Sequence, residues 1–291
     1  MRILLIGAGG QLAEDLHQVL AGEEIATVSH AGLDIGDRAA VELYVQQIRP
    51  ECVINTAAYN LVDACEDQPQ QAFAVNALGP FHLAQAAQGI GATLVHFSTN
   101  FVFDGAKRSP YVETDPPRPL SVYAMSKLAG EWFVRQYCER HFLVRTAALY
   151  GHAGNRSKGG NFVERMIRLV EEGKPLRVVC DQIVNPTCTH DLAEGIGSLI
   201  QTNRYGLYHM VNTGECSWHD FAQEALRLAG LRSDITPVNT QELGAKARRP
   251  LYSALDNAAL RAIGLPDFRP WQEALADYMK HRSRQAKSSS R

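Results

Sequence analysis

The sequence predicts an α/β protein: a doubly wound parallel sheet with a smaller C-terminal substrate-binding lobe. Three observations lead there. The chain begins with a buried-type strand, a glycine turn and a helix (Arg2–Ile6, Gly7-Ala-Gly-Gly10, then the amphipathic Glu14–Leu20). Three or four strand–helix alternations fill the first hundred residues, the pattern of parallel strands joined by crossover helices. The second half mixes shorter elements, which suits a lobe covering a site.

Each element follows from local chemistry. Arg2–Ile6 is a Leu/Ile run without alternation, suited to a strand buried on both faces. The next helix presents free N–H groups and the positive end of its dipole to a pyrophosphate. Gly7 suits the tight turn and Gly10 a close phosphate approach, with Ala13 where a third glycine often stands; a glycine turn without a ligand is the competing reading. Ile25–Ser29 reads as the second strand. Its end, Ser29-His30, offers neither the acid that selects NAD nor an arginine for NADP. Either NADPH or NADH is therefore expected, with a lean to NADPH because nothing there repels a 2′-phosphate. Leu33-Asp34-Ile35 suits an adenine cover, and Asp34 suits equally a cap on the helix Asp37–Ile48. Cys52–Ala58 reads as a buried strand ending in small residues. Asn76, within the helix Gln70–Ala87, suits a brace of the site or a core polar group satisfied internally.

Thr93–Ser98 is a further strand, and a proline-rich loop leads from Asp104 to Ser121, a good N-cap. Tyr123 and Lys127 then lie one turn apart on one helix face. An ammonium beside a phenol favours the phenolate and moves its pKa down from about 10. Thr99, at the end of the preceding strand, can hold a carbonyl oxygen near that phenol. With a nicotinamide bound, this is chemistry for moving a hydride to or from a carbonyl. Phe142–Thr146 and Leu207–Val211 read as late strands, Leu176–Val179 as a strand, and Asn161–Glu172, Asp191–Gln201, Trp218–Ala229, Asn257–Ala262 and Trp271–Tyr278 as helices. His152–Gly160 reads as a mobile loop and residues 281–291 as a frayed, basic, Ser-rich tail. The division expected is residues 1–150 for dinucleotide binding, completed by parts of 186–212, with 151–185 and 213–280 forming the substrate lobe.

Composition limits the partners. A net charge of −2 in 291 residues argues against nucleic acid. No apolar run reaches the roughly 20 residues that span a bilayer, and the N-terminus reads as a strand and not a signal peptide. Six cysteines without CxxC spacing read as reduced thiols of a cytoplasmic protein.

Motifs along the whole chain resemble the extended short-chain dehydrogenase/reductase superfamily, and within it the dTDP-4-dehydrorhamnose reductase family. They include Gly7-Ala-Gly-Gly-Gln-Leu12, Asn55–Glu66, Val75-Asn-Ala77, His96–Gly105, Pro119–Glu131, Val144-Arg-Thr146, Gly160–Val163, Asp181–Thr187, Asp191-Leu-Ala193 and Arg249–Asn257. The resemblance implies a Rossmann sheet and reduction, by NADPH or NADH, of the C4 ketone of a nucleotide-linked 4-keto-6-deoxy sugar. It assigns Gly10, Gln11 and Leu12 to the pyrophosphate, Asp34 and Ile35 to the adenine, and Ala57, Ala58 and Tyr59 to the ribose-phosphate side. Tyr123 becomes the proton donor, Lys127 the ligand of the nicotinamide ribose, and Thr99 the partner of the reacting oxygen. Two positions depart from the family on the sugar side: Asn100 replaces an Asp, and Ala148 replaces a Trp. Asp15 matches one ligand of a magnesium that some members bind, but His190 stands where a second carboxylate would be, so no metal is expected. A monomer or homodimer acting on a nucleotide sugar is implied. The alternatives are a sugar-nucleotide epimerase or dehydratase on the same fold, or a non-catalytic dinucleotide-binding subunit. Thr99-Asn100-Phe101 lacks the Asp-Glu pair of dehydratases, and intact Thr99, Tyr123 and Lys127 speak against a non-catalytic role.

Overall fold

Four consecutive apolar side chains, Ile3 to Ile6, are at most 1% exposed, so the first strand is covered on both faces as its sequence requires. In a computed structural model describing residues 1–153 and 160–289, this strand, β1 (Arg2–Ile6), sits inside a six-stranded sheet. Its companions are β2 (Glu24–Val28), β3 (Cys52–Asn55), β4 (Thr93–Thr99), β5 (His141–Thr146) and β6 (Gly206–His209). All pairings are parallel, in the order β6-β5-β4-β3-β1-β2. From β1 the chain moves outward to β2 and then returns to pair β3 on the other side of β1. That reversal is the topological switch point, and ligands of such sheets bind in the crevice beyond it, at the carboxyl ends of the strands.

Two apolar layers cover the sheet. One packs the helices Gln11–Val19 and Thr189–Leu199 through Leu12, Leu16, Leu192 and Ile196. The other packs Arg38–Ile48, Gly79–Ile90 and Val122–Tyr137 through Val41, Val45, Leu83 and Val134. Each fully buried Leu, Ile or Val stabilises the fold by about 1.5–3 kcal/mol. A third cluster, built on Tyr150, Val163, Ile167, Leu176, Phe221, Trp271 and Leu275, forms a separate core from the second half of the chain. It includes a small parallel pair, Leu176–Val179 with Ile235–Val238.

Most expected elements are present with shifted ends. The first helix starts at Gln11, three residues before the amphipathic stretch shows itself. Asp37, not Asp34, caps the second helix by accepting from Ala40 N at 3.1 Å, and Asp34 instead accepts from Gly36 N at 2.9 Å. The helix read over 70–87 runs as Pro69–Phe73, a π-helical turn Ala74–Leu78 and Gly79–Ile90. The last helix does not stop near Tyr278 but continues to Ser289. Lys, Arg, Gln and Ala in that stretch are good helix formers, and they override the Ser-rich character that suggested fraying. Of the loop read at 152–160, residues 154–159 lie outside the described residues. No helix is long and apolar enough to cross a membrane among the described residues.

Candidate active site

The nucleotide side begins at the β1 glycine turn. Gly7 has φ +95°, and a Cβ there would lie 2.4 Å from Thr56 Oγ1, so glycine is required both for the turn and for the approach of the β3 end. Gly10 precedes the helix Gln11–Val19, and no side chain caps that end. The first-turn amides, Gln11 and Leu12 among them, therefore keep free N–H groups. That uncapped, positively polarised end fits a pyrophosphate. The Leu12 side chain itself is buried in the core, so its contribution to such a site is backbone only. Gln11 turns its amide to Leu149 O at 3.1 Å. Ser29 is exposed at the end of β2, Asp34 is exposed, and Ile35 is buried against the Gly79 turn.

Beyond β3, the loop carrying Ala57, Ala58 and Tyr59 is clamped by Asn76. Its Oδ1 accepts from Tyr59 N at 2.9 Å, and its Nδ2 donates to Tyr59 O and Ser126 Oγ, each at 3.0 Å. Ser126 passes the link on to Tyr123 O at 2.8 Å. Asn76 thus braces the loop against the helix that carries Tyr123. It lies in the π-helical turn, a distortion common at functional sites. Gly130 makes the contact possible: a Cβ there would meet Asn76 O at 2.3 Å.

The helix Val122–Tyr137 is fixed at its start by two caps. Ser121 Oγ accepts from Ala124 N at 3.3 Å and Glu66 accepts from Val122 N at 2.9 Å. Tyr123 is half-buried, edge-on to Phe101, and hydrogen-bonded to Thr99. Thr99, Tyr123 and the buried Lys127 therefore converge at the carboxyl end of β4. The electrostatics differ from the sequence expectation. Burial pushes the Tyr123 phenol up to about 12, against the smaller downward pull of the Thr99 hydrogen bond. Lys127 is itself lowered to about 8 by burial, which the nearby Glu131 charge only partly offsets, and its Nζ donates to Phe97 O at 2.6 Å. Loss of water governs both groups, and the expected pull of Lys127 on the phenol is absent because its ammonium is turned to Phe97 O.

On the sugar side, Asn100 is buried, and Nδ2 donates to Ser253 O at 3.2 Å and Ser253 Oγ at 2.8 Å. The amide nitrogen is thereby engaged within the fold by Ser253. The remaining Oδ1 accepts from Thr99 Oγ1 at 3.3 Å. Ala148 is half-buried with φ +46°, a strained conformation for a residue with a Cβ.

Sequence reasoning missed the polar network behind Lys127. Glu131 is 2% exposed and takes both Arg145 Nε at 2.9 Å and Arg145 Nη2 at 2.7 Å, with Ser98 Oγ at 2.5 Å. His96, fully buried, meets Asn55 Nδ2 at 3.2 Å, and burial holds its pKa far below the usual range. A charged residue inside an apolar β5 run, Val144-Arg-Thr146, was the available signal. Arg145 is thus a buried structural ion, and Arg249 is engaged by Asp63 at 2.8 Å. Asp15 is buried and accepts from the Thr189 hydroxyl, while His190 faces Glu194 at 3.5 Å. The described residues contain no group of three His, Cys, Asp or Glu arranged to hold a metal.

Known proteins resemble this chain over nearly its whole length. The model of the RmlD substrate binding domain family matches residues 1–284. A dTDP-4-dehydrorhamnose reductase of Streptomyces griseus is 41% identical over 95% of this chain and 92% of its own. The spore coat polysaccharide biosynthesis protein SpsK of Bacillus subtilis (strain 168) is 39% identical over 97% of this chain and 98% of its own. A crystal structure of dTDP-4-dehydrorhamnose reductase from Bacillus anthracis str. Ames, in complex with NADP, superposes with a TM-score of 0.92 at 40% identity, covering 96% and 99% of the two chains. A family match over residues 1–284 shows that this chain belongs to the RmlD substrate binding domain family.

Proposed function

We propose that the chain reduces the C4 ketone of a dTDP-linked 4-keto-6-deoxy sugar, converting dTDP-4-dehydrorhamnose to dTDP-L-rhamnose with NADPH or NADH. The observation that carries this reading is the convergence of Thr99, Tyr123 and Lys127 at the end of β4, beside the uncapped helix start at the switch point. The relatives named as reductases of this substrate, and the one in complex with NADP, support it.

The cofactor, when bound, supplies the hydride. The Gly7–Gly10 turn and the first amides of Gln11–Val19 would hold its pyrophosphate, and the braced loop at Ala57–Tyr59 would serve its ribose side. Lys127, buried and donating from Nζ to Phe97 O, would hold the nicotinamide ribose. Thr99 holds the ketone oxygen and Tyr123 donates its phenolic proton to the oxygen as negative charge develops there. A phenol raised to about 12 stays protonated throughout the physiological range, so it is always loaded to act as the acid. The lobe formed by 151–185 and 213–280 covers the sugar nucleotide. Mixing the protein with NADPH or NADH and dTDP-4-dehydrorhamnose tests the reading. Product of two added hydrogens, identified by mass, is expected; an unchanged sugar nucleotide with both cofactors removes it.

A further inference from the structure

Three successive residues at the end of β4 are each tied to the helix Val122–Tyr137. Lys127 Nζ donates to Phe97 O at 2.6 Å, Ser98 Oγ donates to Glu131 Oε1 at 2.5 Å, and Thr99 is hydrogen-bonded to Tyr123. The helix positions 123, 127 and 131 are four apart and so share one face. Tyr123 and Lys127 have places in the proposed chemistry. Glu131 has none, yet its carboxylate is buried directly in line with them.

Arg145 compensates that charge. It lies on β5 in register with Ser98 and donates to Glu131 from Nε at 2.9 Å and from Nη2 at 2.7 Å. Its guanidinium stands over the Phe103 ring, 5.1 Å from the centroid. A buried pair of this kind adds little net stability over apolar side chains of the same volume. What it supplies is direction. A carboxylate gripped by a two-pronged guanidinium has a fixed orientation, and the Ser98 hydroxyl meets it in a charge-assisted bond, roughly twice as strong as a neutral one. With Phe97 tied at 127 and Ser98 at 131, the end of β4 is held in one register along the helix, and Thr99 falls at Tyr123.

The same carboxylate is the charge that favours the Lys127 ammonium. The other groups around that ammonium give it no such support. His96, on β4, is kept neutral by burial and by Lys127 itself, and the Tyr123 phenol keeps its proton. Arg145, on β5, is a cation committed to Glu131.

We infer that Glu131 is a positioning residue: it fixes Ser98, and with it the placement of Thr99 against Tyr123, and it sets a negative charge beside the Lys127 ammonium. The kinetic part of this inference rests on the reductase reading.

The decisive variant replaces both members of the pair, Glu131→Leu with Arg145→Met, which removes both charges and keeps apolar volume. Urea unfolding is expected to show most of the parent stability, yet kcat is expected to be about 10-fold lower or more, the effect of one lost hydrogen bond to a charged group. Ser98→Ala is expected to lower kcat by a similar factor in the parent chain, with an unchanged KM for NADPH, and to add no loss in the double variant, where its partner is already gone. A parent kcat at restored stability, or equal losses from Ser98→Ala in both backgrounds, overturns the inference and leaves the pair purely structural. Should the double variant fail to fold, Ser98→Ala alone decides, because it leaves the ion pair intact; a parent kcat there overturns the clamp. A second measurement needs no turnover. The Lys127 side chain, titrated by NMR, is expected to have its midpoint near 8 in the parent and at lower pH in the double variant, because the anion that favours the ammonium is gone. An unchanged midpoint overturns the electrostatic part. A parent protein without turnover, yet with that shift in the variant, would instead remove the reductase reading and the kinetic part with it.

Discussion

At the scale of single residues, the site rests on half-buried Tyr123 and buried Lys127, whose ionisation is set mainly by loss of water. Replacing Tyr123 by Phe removes the acid and leaves the ring and its edge contact with Phe101. Turnover is expected to fall by roughly 10²–10⁴, with cofactor affinity within a few-fold of the parent as read by fluorescence titration. Lys127 gives a pH prediction. Its folded pKa, about 8, lies below the unfolded value, about 10.5. Between those values the unfolded chain binds more protons, so this group makes stability rise with pH from about 8 to about 10.5. Below pH 8 both states are charged and the burial penalty is present in full. Lys127→Met is expected to lose turnover but to flatten that rise in a urea-unfolding series across the same window. A parallel rise in the variant would show that Lys127 is not its source.

At the scale of elements, two devices present the site. The β1 turn exists because Gly7 adopts φ +95° within 2.4 Å of Thr56 for any added Cβ. Gly7→Ala is expected to destabilise the fold by about 2 kcal/mol or more, through positive φ and overlap together. Cofactor binding, read by calorimetry, is expected to weaken by at least 10-fold because the helix start moves with the turn. The helix Val122–Tyr137 depends instead on remote partners: Glu66 at its first amide and Asn76 through Ser126. This difference explains what the sequence makes legible. A buried strand and a glycine turn announce themselves locally, as did the one-turn spacing of Tyr123 and Lys127. The π-helical turn does not, and its Asn76 carbonyl packs against Gly130 on another helix. Ile235–Val238 escaped notice because Pro237 reads against a strand; it survives there in a two-stranded pair, where an unpaired edge tolerates proline.

For the whole molecule, segments far apart in sequence are joined through buried polar contacts that no local pattern reveals. Asn100 to Ser253 is one, and Asn212 Nδ2 to Asp191 at 2.7 Å is another. The β5 arginine is an example whose partner lies far from it in the linear sequence. Arg145 stands as a charge inside an apolar strand, and the structure spends it on Glu131 inside the fold. Removing one partner of a buried pair leaves an uncompensated charge, so Glu131→Ala is expected to cost about 3–5 kcal/mol of stability in denaturant unfolding. Replacing both residues by apolar side chains of similar volume is expected to recover most of that loss. The motifs that mark the nucleotide and catalytic sides were legible because they are contiguous. The sugar side was not, because Asn100 and Ala148 take their meaning from Ser253 and from a left-handed backbone at 148.

The central claim is that Tyr123, placed by Thr99 at the end of β4, protonates a ketone reduced by a nicotinamide. The most direct measurement is the loss of nicotinamide absorbance when dTDP-4-dehydrorhamnose is added to protein and NADPH, compared with Tyr123→Phe under the same conditions. The account predicts rapid loss with the parent chain and almost none with the variant, although the variant still binds NADPH. Comparable rates for the two, or no loss with the parent and either NADPH or NADH, would contradict it.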